Sequence, residues 1–281
     1  MKNDTTDVNK SLSFLYNNFF GRVILKIATK TFISKIAGAY TSSALSKNKI
    51  NSFIKNNNID MNEYEECEYK SFNDFFTRKI KSDKRPFSTQ EADLCSPCDS
   101  YLSAFDITDE KAFYVKNSVY TVNDLLQNET LAKEYIGGKC LVFRLTVADY
   151  HRYSYIDDGE KYENIHIKGK LHTVNPIANT KYKVYSQNTR EYTILKTKNF
   201  DDVIHMEVGA MLVGKISNNH VSNHTFKRGE EKGKFEFGGS TIILLFKENT
   251  IDIDDTFIKN TDKNIETHVK MGEKIGKKHI I

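Results

Sequence analysis

The stretch FEFGGSTIILLF, Phe235 to Phe246, sets Gly-Gly-Ser-Thr directly before five unbroken apolar residues. A run of that length, rich in β-branched and aromatic side chains and bounded by glycines, reads as a strand buried on both faces. Two glycines at its mouth permit backbone conformations closed to a residue with a Cβ. They would let the Ser240 hydroxyl approach the carbonyl carbon of Gly239, the peptide unit before it. Attack there is an N-to-O acyl shift, and β-elimination from the resulting ester would leave dehydroalanine, which hydrolyses to a pyruvoyl group. Such a step needs a base for the hydroxyl proton, a group orienting that base, and donors for the oxyanion. Gly-Gly-Ser alone serves equally as an ordinary turn before a strand.

Outward from this stretch, the chain divides into two regions of different character. From about Phe87 onward it consists of short segments rich in Val, Ile, Tyr and Thr, bounded by Gly, Asn and Asp. Cys140–Leu145, Ile165–Lys170, Tyr192–Lys196, Val203–Val208 and Ser240–Phe246 read as strands, without the helix–strand alternation of a doubly wound fold. The first 86 residues read as helical. Phe20, Val23, Ile24, Ile27 and Thr31 recur at three-to-four spacing, with Arg22, Lys26 and Lys30 on a neighbouring stripe. That pattern suits a helix packed on its own domain or one lying on an anionic membrane surface. Phe32, Ile33, Ile36, Ala37 and Tyr40 continue it. Lys55–Glu66 reads as a surface connection, and Ser71 as the N-cap of a short aromatic helix closed by Arg85-Pro86. The expected fold is α+β: N-terminal amphipathic helices over 1–86, then a mainly antiparallel, β-rich catalytic body over 87–281.

Composition narrows the function. At 39% hydrophobic residues the chain can bury a core, and its net charge of +4 does not argue for nucleic acid. The polar start MKNDTTDVNK is unlike a signal peptide, and no run approaches the ~18 apolar residues of a membrane span. Four cysteines, Cys67, Cys95, Cys98 and Cys140, are too scattered for a disulfide framework. Cys95-Ser-Pro-Cys98 lacks the second pair a tetrahedral zinc site requires, so no metal is expected.

The segment GEEKGKFEFGGSTIILLF, Gly229 to Phe246, resembles the cleavage segment of the phosphatidylserine decarboxylases. SFNDFFTRK (71–79) with Arg85-Pro86, SPCD (96–99), DYHRY (149–153), VNPIA (174–178), EVGAM (207–211) and ETHVKMG (266–272) resemble other segments of that family, in the same order. The resemblance implies a proenzyme cut between Gly239 and Ser240 into chains 1–239 and 240–281, which stay together as a heterodimer with further dimerisation left open. Ser240 would become the pyruvoyl cofactor and decarboxylate phosphatidylserine to phosphatidylethanolamine and CO₂ through a Schiff base. The implied partners are the phospholipid and an anionic membrane surface, with the enzyme peripheral on the cytoplasmic side of the cell membrane. Asp99 matches the carboxylate that orients a histidine base, and His151 matches a functional histidine. Arg152 and Arg190 are candidates for the substrate phosphate. One departure matters: the family usually carries a histidine where this chain has Ser154, and a hydroxyl cannot act as a base near neutral pH. His151 is the expected base, with His172 and His205 as other candidates. A pyruvoyl enzyme acting on a soluble amino acid, or a membrane-binding relative that never cleaves, remain alternatives.

Overall fold

In the computed structural model, which describes residues 13–29, 31–108, 112–115, 118–175, 178, 182–210, 215–238 and 240–280, the run after Ser240 forms the strand Ser240–Phe246. Every residue of it is buried. It pairs antiparallel on one side with Asp202–Val208, Thr241 opposite Val208, and on the other with Lys139–Leu145, Ser240 opposite Leu145. These three strands lie in the middle of a nine-stranded antiparallel sheet. Alternation then sends Ile242, Leu244 and Phe246 into one hydrophobic core and Ile243 and Leu245 into another on the opposite face. A strand buried on both faces needs no polar alternation, which is why its sequence shows none.

The expected strands are present, with Tyr192–Lys196 extended to Arg190–Thr197 and Ile165–Lys170 shortened to Ile165–Ile167. Helices precede them. The N-terminal pattern forms α1 (Phe19–Ala28) and α2 (Thr31–Thr41). Lys30 and the side chains of Ile27, Thr31 and Phe32 lie outside what is described. Helix α3 (Ile50–Asn57) takes in the start of the expected connection and ends on Asn58, whose φ of 52° is the left-handed conformation asparagine tolerates. Helix α4 (Phe72–Phe76) begins as expected, the Ser71 hydroxyl accepting from the Asp74 N–H at 3.2 Å.

Helix α4 couples the helical region to the cleavage segment. Phe72 and Phe76 pack edge-on against Phe237 with ring centroids 5.1 and 5.2 Å apart, and the Phe237 N–H donates to Asn73 Oδ1 at 3.0 Å. Gly238, next in the chain, has φ of 136°, a conformation closed to residues with a Cβ. Gly239 lies outside the described residues, as do Met211 and Pro176-Ile177 of the motif segments. Among the described residues no helix is long and apolar enough to cross a membrane.

Candidate active site

Ser240 is the first residue of the central strand, so the ladder on both sides fixes its backbone. Its hydroxyl is fully buried and lies 3.4 Å from His151 Nδ1. His151 arrives on the Thr146–His151 loop that follows the neighbouring strand Lys139–Leu145. Its Nε2 is 2.8 Å from the Thr146 carbonyl oxygen. A carbonyl can only accept, so Nε2 carries the hydrogen and Nδ1 presents its lone pair to Ser240. The Phe76 ring covers the imidazole at a centroid distance of 4.1 Å. Burial there pushes the His151 pKa down to about 4, which keeps the ring neutral and able to accept a proton at physiological pH.

Asp149 braces the loop that carries His151. Its carboxylate accepts from the Thr146 N–H at 2.6 Å and from the Thr146 hydroxyl at 2.8 Å, fixing the residue whose carbonyl holds His151. Its other oxygen accepts from His268 Nε2 at 3.0 Å. Burial works against ionisation of Asp149, but the hydrogen bonds from His268 and Thr146 outweigh it and hold the carboxyl below its usual range. That same bond raises the His268 pKa.

Asp99 is placed differently from its expected role. It accepts two hydrogen bonds from Arg85, at 2.8 and 2.7 Å, and one from the Met271 N–H at 2.8 Å. No hydrogen bond joins it to His151 among the described contacts. Ser154, at the departed histidine position, donates to Met271 Sδ at 3.4 Å. Met271 is thus bonded through its backbone N–H to Asp99 and through its sulfur to Ser154. The other two histidines are remote from Ser240 in bonding terms: His172 stacks on Tyr182, and His205 sits within the sheet 3.6 Å from Glu207.

Neither candidate phosphate arginine has a free fork. Arg190 is buried and donates to the backbone carbonyls of Leu125, Ser186, Asn188 and Asp124, so its charge is spent on loop ends. Arg152 donates to the Thr77 carbonyl from Nε and Nη2 and to both oxygens of Glu231 from Nη1. Arg78, in the SFNDFFTRK segment, is the cation the sequence reading passed over. It is 2% exposed and lies over the Tyr64 and Phe75 rings, with Nη2 donating to the Tyr64 hydroxyl at 3.0 Å. Its Nε and Nη1 are buried with no hydrogen-bonding partner among the described residues. The motif residue Glu207 likewise gains a partner from the cleavage segment, Lys232, in a buried ion pair. The four cysteines are free thiols, and burial raises the pKa values of Cys95, Cys98 and Cys140.

A profile of the phosphatidylserine decarboxylase family matches residues 72–277. Phosphatidylserine decarboxylase proenzyme 2 of Clostridium acetobutylicum is 54% identical over 95% of this chain and 92% of its own length. The phosphatidylserine decarboxylase proenzymes of Clostridium tetani and Ruminiclostridium cellulolyticum are 43% and 44% identical, over 96% and 94% of this chain and 92% and 90% of theirs. The matched profile and the near full-length similarity, together with the cleavage segment, show that the chain belongs to the phosphatidylserine decarboxylase family.

Proposed function

We propose that the protein is a phosphatidylserine decarboxylase proenzyme that cuts its own Gly239–Ser240 bond and then converts phosphatidylserine to phosphatidylethanolamine and CO₂. The observation that carries this is the bare Nδ1 of a buried, neutral His151 facing the Ser240 hydroxyl at 3.4 Å. In the first step His151 Nδ1 takes the hydroxyl proton as Ser240 Oγ bonds to the Gly239 carbonyl carbon. The same proton then goes to the leaving nitrogen as the amide C–N bond breaks, leaving an ester. Removal of the Ser240 α-proton breaks the ester C–O bond and frees the Gly239 carboxylate. Water then hydrolyses the dehydroalanine with loss of ammonia. The site fits the product: residue 240 is held by a fully paired strand, and the imidazole beside it is kept dry by Phe76.

Once formed, the pyruvoyl group supplies a carbonyl that accepts electrons as CO₂ leaves. His151 remains beside residue 240, where its Nδ1 takes the proton that the substrate ammonium loses and returns it to the carbon that lost CO₂. Arg78 takes the headgroup phosphate, because a buried guanidinium with two unspent donors gains most from a doubly accepting anion. Asp149 orients His151 through Thr146, and Asp99 steadies Arg85 and Met271 around them.

A lipid substrate is favoured over a soluble amino acid by the surface of the helical region. Phe19, Phe20, Val23 and Ile24 are 66, 72, 49 and 51% exposed, an apolar stripe beside Arg22 and Lys26 that suits an anionic interface. A groove of about 540 Å³ in the same helical region, lined by Tyr40, Lys49, Phe53 and Phe72, includes Phe237, two residues before Gly239. The enzyme thus works as a peripheral protein at the cytoplasmic face of the membrane, as a heterodimer of its two chains.

Intact-mass spectrometry under denaturing conditions tests the first claim. Two chains divided between residues 239 and 240 are expected, the smaller lighter than a serine-initiated chain by one ammonia. A single uncut chain after long incubation would instead support the non-processing reading. CO₂ release from phosphatidylserine vesicles, compared with release from free serine, tests the substrate.

A further inference from the structure

The loop after the strand Ile216–Asn218 carries His220, the strand His224–Phe226 opens with His224, and Glu230 stands directly before Glu231–Phe235. Among the described residues these three side chains form the cluster whose ligand atoms come together, all within 4.8 Å of one another. The two imidazole rings lie face to face, 3.5 Å between centroids. His224 Nε2 is 2.7 Å from Glu230 Oε1, whereas His220 Nδ1 is buried and has no hydrogen-bonding partner.

The backbone around the cluster is tied down. Lys161 Nζ donates to the carbonyls of His220 and Ser222, at 2.9 and 3.0 Å. Asn219 donates from its backbone to the Lys232 carbonyl and from its side chain to the Glu231 carbonyl, both at 2.9 Å. Glu230 Oε2 accepts from the Lys227 N–H at 3.0 Å, which leaves Oε1 aimed at the histidines. Two imidazoles and one carboxylate, held on a braced turn and partly open to solvent, are the ligand set of a borderline divalent ion.

We propose that His220, His224 and Glu230 bind a divalent transition-metal ion of the zinc class, with water completing the coordination. Tetrahedral ligands about 2.0–2.1 Å from zinc lie about 3.3 Å apart, so a set now within 4.8 Å has to draw in by about an ångström, with the stacked rings turning toward a shared ion. The site is structural. It joins the edge strand His224–Phe226 to the start of Glu231–Phe235, the strand that leads to the cleavage site, so an ion there steadies the segment that delivers the scissile bond. The sequence reading expected no metal because it weighed only the cysteine spacing, and His220-x₃-His224 with Glu230 six residues on has no established motif.

Cobalt is the spectroscopic probe. The full chain carrying Cys67→Ser, which removes the exposed thiol, is stripped with chelator and titrated with Co²⁺, then with Zn²⁺. One equivalent of cobalt giving intense visible d–d bands that zinc abolishes is expected, with a rise in melting midpoint of about 5 °C at zinc a hundredfold above its Kd. His220→Ala, His224→Ala and Glu230→Gln should each weaken cobalt binding at least about tenfold. Circular dichroism and melting of the metal-free variants, matched to the metal-free parent, establish that they fold. No bands at stoichiometric cobalt, or bands that persist unchanged in folded His220→Ala and His224→Ala, would overturn the site. Neither result depends on whether the Gly239–Ser240 bond has been cut.

Discussion

Acidification separates the proposed base from every exposed histidine. His151 is buried beneath Phe76 and its pKa is pushed down to about 4, whereas an unperturbed imidazole titrates near 6.5. At pH 5 a group of pKa about 4 is about 90% in its basic form; one of pKa about 6.5 is about 3% so. Self-cleavage at pH 5 should therefore run at about 0.9 of its rate at pH 7.5 if His151 is the base, and at about 0.03 of it if the base is a solvated histidine. The assay is a time course of freshly translated proenzyme, sampled into acid denaturant and resolved by intact mass, with circular dichroism at each pH to show that the fold persists. His151→Ala should slow cleavage by about 10²- to 10⁴-fold at both pH values. A midpoint near 6.5 in the folded protein, or full cleavage by folded His151→Ala, would refute the assignment. Stability obeys the same linkage. The folded pKa is depressed, so the unfolded chain takes the proton first, and stability falls as pH drops from about 6.5 towards 4, by about 3 kcal/mol for this group.

Removing the orienting carboxylate with Asp149→Ala frees Thr146 and should slow self-cleavage about 10- to 100-fold while His151 remains in place, as read by the same time course. Arg78→Ala in the matured enzyme should raise KM for phosphatidylserine vesicles about tenfold or more, the worth of a charge-assisted hydrogen bond, whereas Arg190→Ala should leave KM unchanged in whatever folds and instead lower the melting midpoint; equal KM effects would contradict the division of roles. Phe19→Asp with Phe20→Asp removes two exposed rings, each worth about 1.5–3 kcal/mol on full burial, and should abolish sedimentation with anionic vesicles at high salt without changing self-cleavage.

What was legible in the sequence was what depends on neighbours along the chain. The unbroken run Ile242–Phe246 announced a strand buried on both faces, and Ser71 announced a cap, because both signals are local. Side-chain partnerships across the fold were not legible. Arg190 and Arg152 read as candidate phosphate forks because a sequence does not show which carbonyls a guanidinium will meet, and the four that bind Arg190 belong to short helices and the loop after one of them. Arg78 drew no reading of its own, since its enclosure by the Tyr64 and Phe75 rings is made by the fold. The departure at Ser154 was visible, but its resolution was not: the group that sets the His151 tautomer is a backbone carbonyl, which carries no residue-type signal at all. Asp149 and His268 meet from 119 positions apart.

The position of the scissile bond follows from the same architecture. A cut in the interior of the central strand would break the ladder on both sides, with Val208 to Ile204 facing one edge and Leu145 to Lys139 the other. A cut before its first residue leaves every one of those pairings intact. The five apolar side chains from Ile242 to Phe246 are all 0% exposed. At about 1.5–3 kcal/mol each, their burial is worth about 10 kcal/mol before any hydrogen bond is counted. Chain 240–281 therefore has no route out of the sheet short of unfolding it. Residue 240 is at once a new chain terminus, free to change chemically, and the first rung of a fully buried strand paired along both edges. That combination lets a covalent modification proceed at Ser240 while the imidazole of His151 keeps its distance and orientation.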